Sequence, residues 1–200
     1  MADEPPVRID LPDELIGPRI RLRPYREADA AALWEAIDES RAALEVWMPW
    51  TRQYRTPADA LPSVRFLQAR WLLREDLTVG IFDRHSGRLL GGSGLTRMDW
   101  VIRRFEIGYW VRSSAVGHGY ATEATQVLTR FAFDQLQAKR VEIRMDPRNA
   151  RSRAVPERLG FTFEGCLRNA FRGVNDQVQD TLVYALIPDE FAHVAWRTGT

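Results

Sequence analysis

The chain has 200 residues, a length that suits one domain. Lys plus Arg total 28 against 27 for Asp plus Glu, so the net charge is +1 and gives no electrostatic case for a nucleic-acid partner or a polybasic membrane anchor. The one cysteine, Cys166, excludes a disulfide within the chain and fits a reducing compartment. No apolar run approaches the ~20 residues of a membrane helix. The start, MADEPPVRIDLPDELIG, lacks a signal-peptide core, so the expected location is cytoplasmic.

In chain order, RIRLRPY (Arg19–Tyr25) alternates polar and apolar residues at the strand period. READAAALWEAIDES follows as a helix, with Asp29 as the expected cap and Ala32, Leu33, Ala36 and Ile37 on one side. The proline-broken VWMPWTRQYRTPADALP leads into a second helix carrying Leu61, Val64, Leu67 and Trp71 on one face. Pro62 is comfortable only in its first turn. LTVGIFD and LLGGSGLTRMD, joined by RHSG, read as a hairpin, and RRFEIGYWV as a further strand. YATEATQVLTRFAFDQLQ sets Ala121, Ala124, Leu128, Phe131, Ala132 and Gln135 or Leu136 on one helical stripe.

RVEIRM is a strand, and NARSRAVPERLG a short helix between an Asn149 cap and a Gly160 stop. Pro156 is expected to kink or shorten that helix, because its ring clashes with the Ser152 carbonyl and takes away its donor. FTFEGCLR and VQDTLVYALI are strands, and PDEFAHVAWRTGT adds a short helix that frays. The order describes a single α/β or α+β domain on a mixed sheet. Of the seven tryptophans, Trp47, Trp50 and Trp196 pose a choice between core, cleft wall and the surface of a homodimer.

The segment WVRSSAVGHGYATEA passes from a strand into a helix through two glycines. Amides at a helix start have no partner inside the helix, and the helix dipole adds positive charge there. Glycines let an anion approach closely, so phosphate is one reading and a tight turn the other. No Lys-Ser or Lys-Thr follows, which excludes a Walker loop, and the spacing does not fit a dinucleotide fingerprint.

EIGYWVRSSAVGHGYATEA, followed about two dozen residues later by DPRNARSRAVPERLGFTFEGCLRN, resembles the GNAT superfamily of acyl-CoA-dependent N-acetyltransferases. More narrowly, the pair is similar to the branch of ribosomal-protein N-alpha-acetyltransferases. The close likeness covers Phe105 to Ile187, and RIRLRPYREAD agrees in the less specific N-terminal half. The resemblance implies a mixed, mostly antiparallel sheet of about seven strands with helices on both faces, splayed between its fourth and fifth strands. It implies acetyl-CoA as donor, no metal, and an amine acceptor, either a protein N-terminus or a small molecule. Amides across Val116, Gly117, His118, Gly119, Tyr120 and Ala121 would hold the coenzyme pyrophosphate, with Val116 standing where the family has Gln or Arg. Thr122 adds a hydroxyl donor or caps the helix. The pantetheine arm would lie between strand Phe105–Val111 and strand Arg140–Met145, paired with backbone near Trp110 and Val111. Asn149 matches an asparagine that bonds the pantetheine, and otherwise serves as a helix cap. Ser152 matches a proton donor to the leaving thiolate, and otherwise faces solvent.

Acyl transfer needs a neutral amine, a polarised thioester and a proton for the thiolate. A free α-amine has a pKa near ~8, so a modest base suffices. Alternation puts Glu106, Gly108 and Trp110 on one face of their strand and Phe105, Ile107 and Tyr109 on the other. Glu106 is the base candidate if its face lines the cleft, and a solvated strand residue if not. Relatives of the branch can carry another glutamate where this chain has Phe171, which favours direct attack over a two-carboxylate scheme. His118 is expected to be a bystander and Cys166 a buried, inert thiol. An aminoglycoside or polyamine acceptor, or a non-catalytic acyl-CoA-binding module, stands as an alternative.

Overall fold

The structure, a computed structural model, describes residues 6–173 and 177–197. The alternating RIRLRPY segment forms strand β2 (Ile20–Arg23), with Ile20 and Leu22 wholly buried. The other six expected strands are present: β3 (Leu77–Asp83), β4 (Leu89–Asp99), β5 (Arg104–Val111), β6 (Arg140–Met145), β7 (Thr162–Arg172) and β8 (Val178–Leu186). An eighth, β1 (Leu15–Ile16), lies in the N-terminal segment and pairs with β2. Two residues are too few for a periodicity, so the sequence carried no sign of it. The sheet order is β1-β2-β3-β4-β5-β6-β8-β7. Every pairing is antiparallel except β5 with β6. The splay therefore falls between the fifth and sixth strands rather than the fourth and fifth, on the two stretches of sequence that were expected.

Helices cover both faces. Helix α3 (Tyr120–Arg130) packs Ala124 and Leu128 against Leu22, Val79, Leu95, Phe105 and Ile107. Helices α1 (Ala30–Leu44) and α2 (Ala60–Leu73) cover the opposite face, where Leu33, Ile37 and Val64 join Tyr25, Tyr54, Phe82 and Leu89. Pro62 occupies the first turn of α2. Asp29 stands before α1 without capping it, because its carboxylate is taken by the Arg26 amide (2.7 Å) and the Arg23 guanidinium (2.6 and 2.9 Å). A π-turn over Phe131–Gln135 ends α3, and Leu136 N–H donates to Phe131 O at 3.2 Å. The extra residue per turn brings Leu136 rather than Gln135 into the core.

Helix α4 (Ala150–Arg158) corrects the reading of Pro156, for it runs on through the proline. The Ser152 carbonyl, deprived of its helical donor, accepts instead from the Tyr109 hydroxyl at 2.8 Å. Burial pushes the Tyr109 hydroxyl above its ordinary pKa, so it remains protonated and able to donate. Gly160 (φ +75°) then ends the helix, with Phe161 N–H bonded to Pro156 O (3.0 Å) and Gly160 N–H to Glu157 O (3.3 Å). Tyr109→Phe leaves that carbonyl short of a donor and should cost about 1–2 kcal/mol in urea unfolding. In a Pro156→Ala background the helix regains its own N–H, and the same change should cost about 0.5 kcal/mol or less. An equal cost in both backgrounds would contradict this account of the proline.

The last helix, α5 (Pro188–Phe191), is short, and the fraying expected at the very end falls on residues 198–200, outside the described residues. Trp196 is not an exposed aromatic. Its indole donates to Leu159 O at 3.0 Å and its ring lies 5.9 Å from that of Phe191. Trp50 lies 6.1 Å from Trp110, centroid to centroid, and Trp47 lines the cavity between β5 and β6. Trp47 and Trp196 thus have a place within one chain, while Trp50 stays 37% exposed beside Trp110.

Just past β5, Arg112 is 2% exposed and fastens the coming loop to α1. Its guanidinium bonds Glu39 (2.8 Å), Glu35 (2.7 Å) and Leu89 O (3.2 Å), while the Ser114 amide adds 2.7 Å to Glu39. The hydrogen bond from Arg112 chiefly holds the Glu39 carboxyl down at about 2, and Ser114 adds to it. A carboxyl depressed in the folded state contributes stability above its unfolded pKa and loses it as pH falls through the folded value. Arg112→Met should therefore cost about 2–4 kcal/mol at neutral pH in urea unfolding. The gap to wild type should shrink as pH drops from about 5 toward about 2. A gap independent of pH would contradict the ion-pair assignment.

Candidate active site

Strands β5 and β6 pair at only three positions, Arg104↔Arg140, Phe105↔Val141 and Glu106↔Glu142. Beyond Glu106 they part, and the edge of residues 107–111 that looks toward β6 has no strand partner among the described residues. A cavity of about 170 Å³ opens in the fork. Ile107, Gly108 and Tyr109 form one side, Ile143 to Asp146 the other, with Asn149 and Ser152 of α4 and Phe171, Asp180 and Thr181 of β7 and β8 closing it.

Glu106 stands where the strands divide, its side chain 14% exposed. Arg97 and Arg144 each approach it to 3.4 Å, and Arg144 also holds the buried Glu142 at 2.8 Å. Burial raises the Glu106 carboxyl above its ordinary pKa, against the pull of Arg97 and Arg144 and with a further push from Glu142. The Glu106 face does line the cleft. The other face, Phe105 and Ile107, is buried under α3. Phe171 lines the fork where a second carboxylate was noted as missing. Asp146 and Asp180 line it too, the first held by Arg148 at 2.6 Å and the second bonded by the Asn169 amide at 2.9 Å.

Asn149 caps α4, its Oδ1 accepting from Ser152 N–H at 3.0 Å. Its Nδ2 hydrogens have no acceptor among the described residues, so capping leaves the amide's donor end available to a ligand. The Ser152 hydroxyl lies 3.2 Å from the Tyr109 hydroxyl, inside the cavity rather than in bulk solvent. Trp110 and Val111 pair with Gly92 and Gly91 of β4 on one edge and leave the other edge to the fork.

The glycine loop follows β5 and leads into α3. Gly117 (φ +88°) and Gly119 (φ +80°) are left-handed, and α3 begins at Tyr120 with Gly119 as its cap. The first helical bond runs from Glu123 N–H to Gly119 O at 3.0 Å, so the amides of residues 117–122 have no backbone acceptor among the described residues, whereas Val116 N–H donates to Ser113 O at 3.4 Å. A Cβ built on Gly117 would meet nothing within 4 Å, and one on Gly119 only the Arg19 guanidinium at 3.5 Å. That open space over exposed amides fits a pyrophosphate group. Val116 is exposed. Thr122 does not cap the helix; its hydroxyl accepts from Arg158 at 3.1 Å. The His118 ring turns back on its own loop, 3.1 Å from Val116 O and stacked on Tyr120 at 5.9 Å. The half-buried Ala121 packs against the core.

Three residues escaped the sequence reading. Arg19, just before β2, reaches across to the loop, donating to His118 O at 2.9 Å and lying over the Tyr120 ring at 5.1 Å. It also neutralises the buried Glu123 in the first turn of α3, by backbone N–H and by Nε, each at 2.7 Å. Arg19 and Glu123 are 104 positions apart, so no local spacing links them. Tyr109 had a signal: Pro156 orphans the Ser152 carbonyl, which then requires a donor from elsewhere.

A second, larger cavity of about 710 Å³ lies between α1, α2 and the sheet. Met48, Gly108 and Tyr109 line both cavities, so the two adjoin. Gly108 has no side chain and its ideal Cβ would meet nothing within 4 Å, which leaves a way between them.

The descriptor of the acetyltransferase (GNAT) domain matches residues 19–162, from Arg19 through the loop to the start of β7. The chain is 31% identical over 180 residues to the Bacillus subtilis protein named "Putative ribosomal N-acetyltransferase YdaF", covering 88% of this chain and 95% of that one. It is 24% identical over 183 residues to the ribosomal-protein-serine acetyltransferase of Escherichia coli, covering 87% and 96%. Among solved structures, RimJ of Mycobacterium smegmatis in complex with CoA-disulfide superposes with a TM-score of 0.81 at 28% identity, over 96% of this chain and 93% of that one. The family match spans both the glycine loop and the fork, and the likeness in sequence and fold extends over most of each partner, so the chain belongs to the GNAT acetyltransferase family.

Proposed function

We propose that the chain transfers the acetyl group of acetyl-CoA to a primary amine, the α-amine of a protein N-terminus such as that of a ribosomal protein. The observation that carries this reading is the fork between β5 and β6, which holds Glu106, Asn149 and Ser152 and meets a second, larger cavity at Gly108. The names of the relatives support the acceptor class. The reading assigns the enzyme to the cytoplasm.

Amides from Gly117 to Ala121 hold the pyrophosphate, with the Thr122 hydroxyl beside them; the Val116 amide, expected to join them, is already bonded to Ser113 O. The free edge of Trp110 and Val111 pairs with the pantetheine as an added strand would, and Asn149 Nδ2 donates to it. The acceptor nitrogen reaches the thioester carbonyl beside Gly108. Glu106 takes a proton from the amine, directly or through a water, and the burial that raises its pKa makes it a stronger base than an exposed carboxylate. The N–C bond forms, the C–S bond breaks, and the Ser152 hydroxyl gives the departing thiolate its proton. Tyr109 keeps Ser152 in place through the carbonyl bond.

The test is thiol release from acetyl-CoA across N-terminal peptides, polyamines and aminoglycosides. Release that depends on a peptide α-amine supports the reading. Release with aminoglycosides or polyamines alone reassigns the acceptor, and coenzyme binding without turnover on any amine overturns catalysis.

A further inference from the structure

The larger cavity adjoins the fork at Gly108, where the reading above brings the amine to the thioester. Its walls are chiefly apolar. Met48, Trp50, Tyr54, Phe66, Leu67 and Trp110 surround it, and Trp50 and Phe66 leave 37% and 60% of their surface uncovered. Apolar surface left bare in a concave site beside a reaction centre favours an apolar occupant. Trp50 lies 5.9 Å from Tyr54 and 6.1 Å from Trp110 between ring centroids, so the three rings form one continuous wall. Among the described residues the lining holds one carboxylate, Asp76, and one cation, Arg70. Asp76 accepts from the Thr78 hydroxyl at 2.5 Å and stands 3.6 Å from Arg70. With Thr78 and Arg70 already engaging its carboxylate, Asp76 is a weak anchor for a further ammonium group. A polycation would therefore find no set of free carboxylates in this cavity. A serine or alanine side chain would leave most of its about 710 Å³ unfilled.

We infer that the acceptor amine is carried on a bulky, largely apolar group, aromatic or branched aliphatic, and that Trp50, Phe66 and Trp110 select it. This deepens the acetyltransferase reading and rests on it. The group fills the cavity while its amine reaches Gly108. Two sources present that chemistry: the first residues of a peptide, and a free aromatic amine.

The experiment measures kcat/KM for thiol release from acetyl-CoA by the intact chain. One arm uses peptides alike except for a first residue of Phe, Trp or Leu against Ala, Ser or Gly. The other uses tryptamine against spermidine. Bulky apolar acceptors should exceed small or polycationic ones by about tenfold or more, since burying one large side chain carries that much discrimination. Preference within the peptide arm alone points to a protein N-terminus, and preference within the amine arm alone to a small molecule; either one supports the inference. Ser63, on the cavity wall, offers a filling variant. Ser63→Trp should bring the bulky acceptors down toward the alanine peptide while acetyl-CoA binding, read by titration, stays at the wild-type value. Alanine, serine or spermidine acceptors turning over as well as bulky ones, with thiol release intact, would overturn the inference and leave the acetyltransferase reading standing. No release with any amine would bring down that reading itself, and the inference with it.

Discussion

Gly119→Val is expected to weaken acetyl-CoA binding about a hundredfold, measured by equilibrium titration. Gly119 lies at φ +80°, where an L-residue costs roughly 1–2 kcal/mol and a β-branched one more. The valine methyls would also enter the space above the loop, which holds only the Arg19 guanidinium, 3.5 Å from an ideal Cβ. If the loop relaxes to relieve the strain, its amides turn away from the pyrophosphate. If it does not, the side chain occupies the phosphate's place. Together these exceed the ~2.8 kcal/mol that a hundredfold change represents. His118→Ala should change the affinity by less than about twofold, because a backbone cradle needs no side chain at that position. The reverse pattern, with His118 important and Gly119 indifferent, would refute the cradle.

Glu106→Gln carries the second large effect, a loss in kcat of about 10²–10³ with the acetyl-CoA affinity nearly unchanged. Glu106 must be ionised to take a proton. Because burial raises its pKa, wild-type kcat/KM should climb with pH through a range above that of an ordinary carboxylate. The glutamine variant should lose that limb of the profile. The fold should tolerate the change, since Arg144 retains Glu142 and Arg97 is 57% exposed. A variant with the wild-type profile would remove Glu106 from the chemistry and leave a water chain as the base.

Much of the fold was legible because its elements announce themselves locally. The strand alternation of RIRLRPY, the stripe from Ala121 to Leu136 and the glycine stop at Gly160 are short-range patterns, and the structure follows each. What failed depended on partners distant in sequence. Pro156 reads as a helix breaker until Tyr109, 43 residues from Ser152, supplies the missing donor. Asp29 reads as a cap until Arg23 and Arg26 claim its carboxylate. The glycine loop was legible as a strand-to-helix turn with two left-handed glycines, but its brace, Arg19 on Glu123, was not. The larger cavity was least legible. WMPW shows aromatics without saying that Trp50 would stand against Trp110, and no periodicity describes a void over Gly108.

The most direct test of the central claim, that the fork and its glycine loop bring acetyl-CoA to an amine, follows isotope-labelled acetyl from the coenzyme to a peptide acceptor. Wild type should place one labelled acetyl group on the α-amine in step with thiol release, and Gly119→Val should lose that transfer at coenzyme levels that saturate wild type. Tight coenzyme binding with no label reaching any amine, or transfer that survives Gly119→Val unchanged, would contradict it.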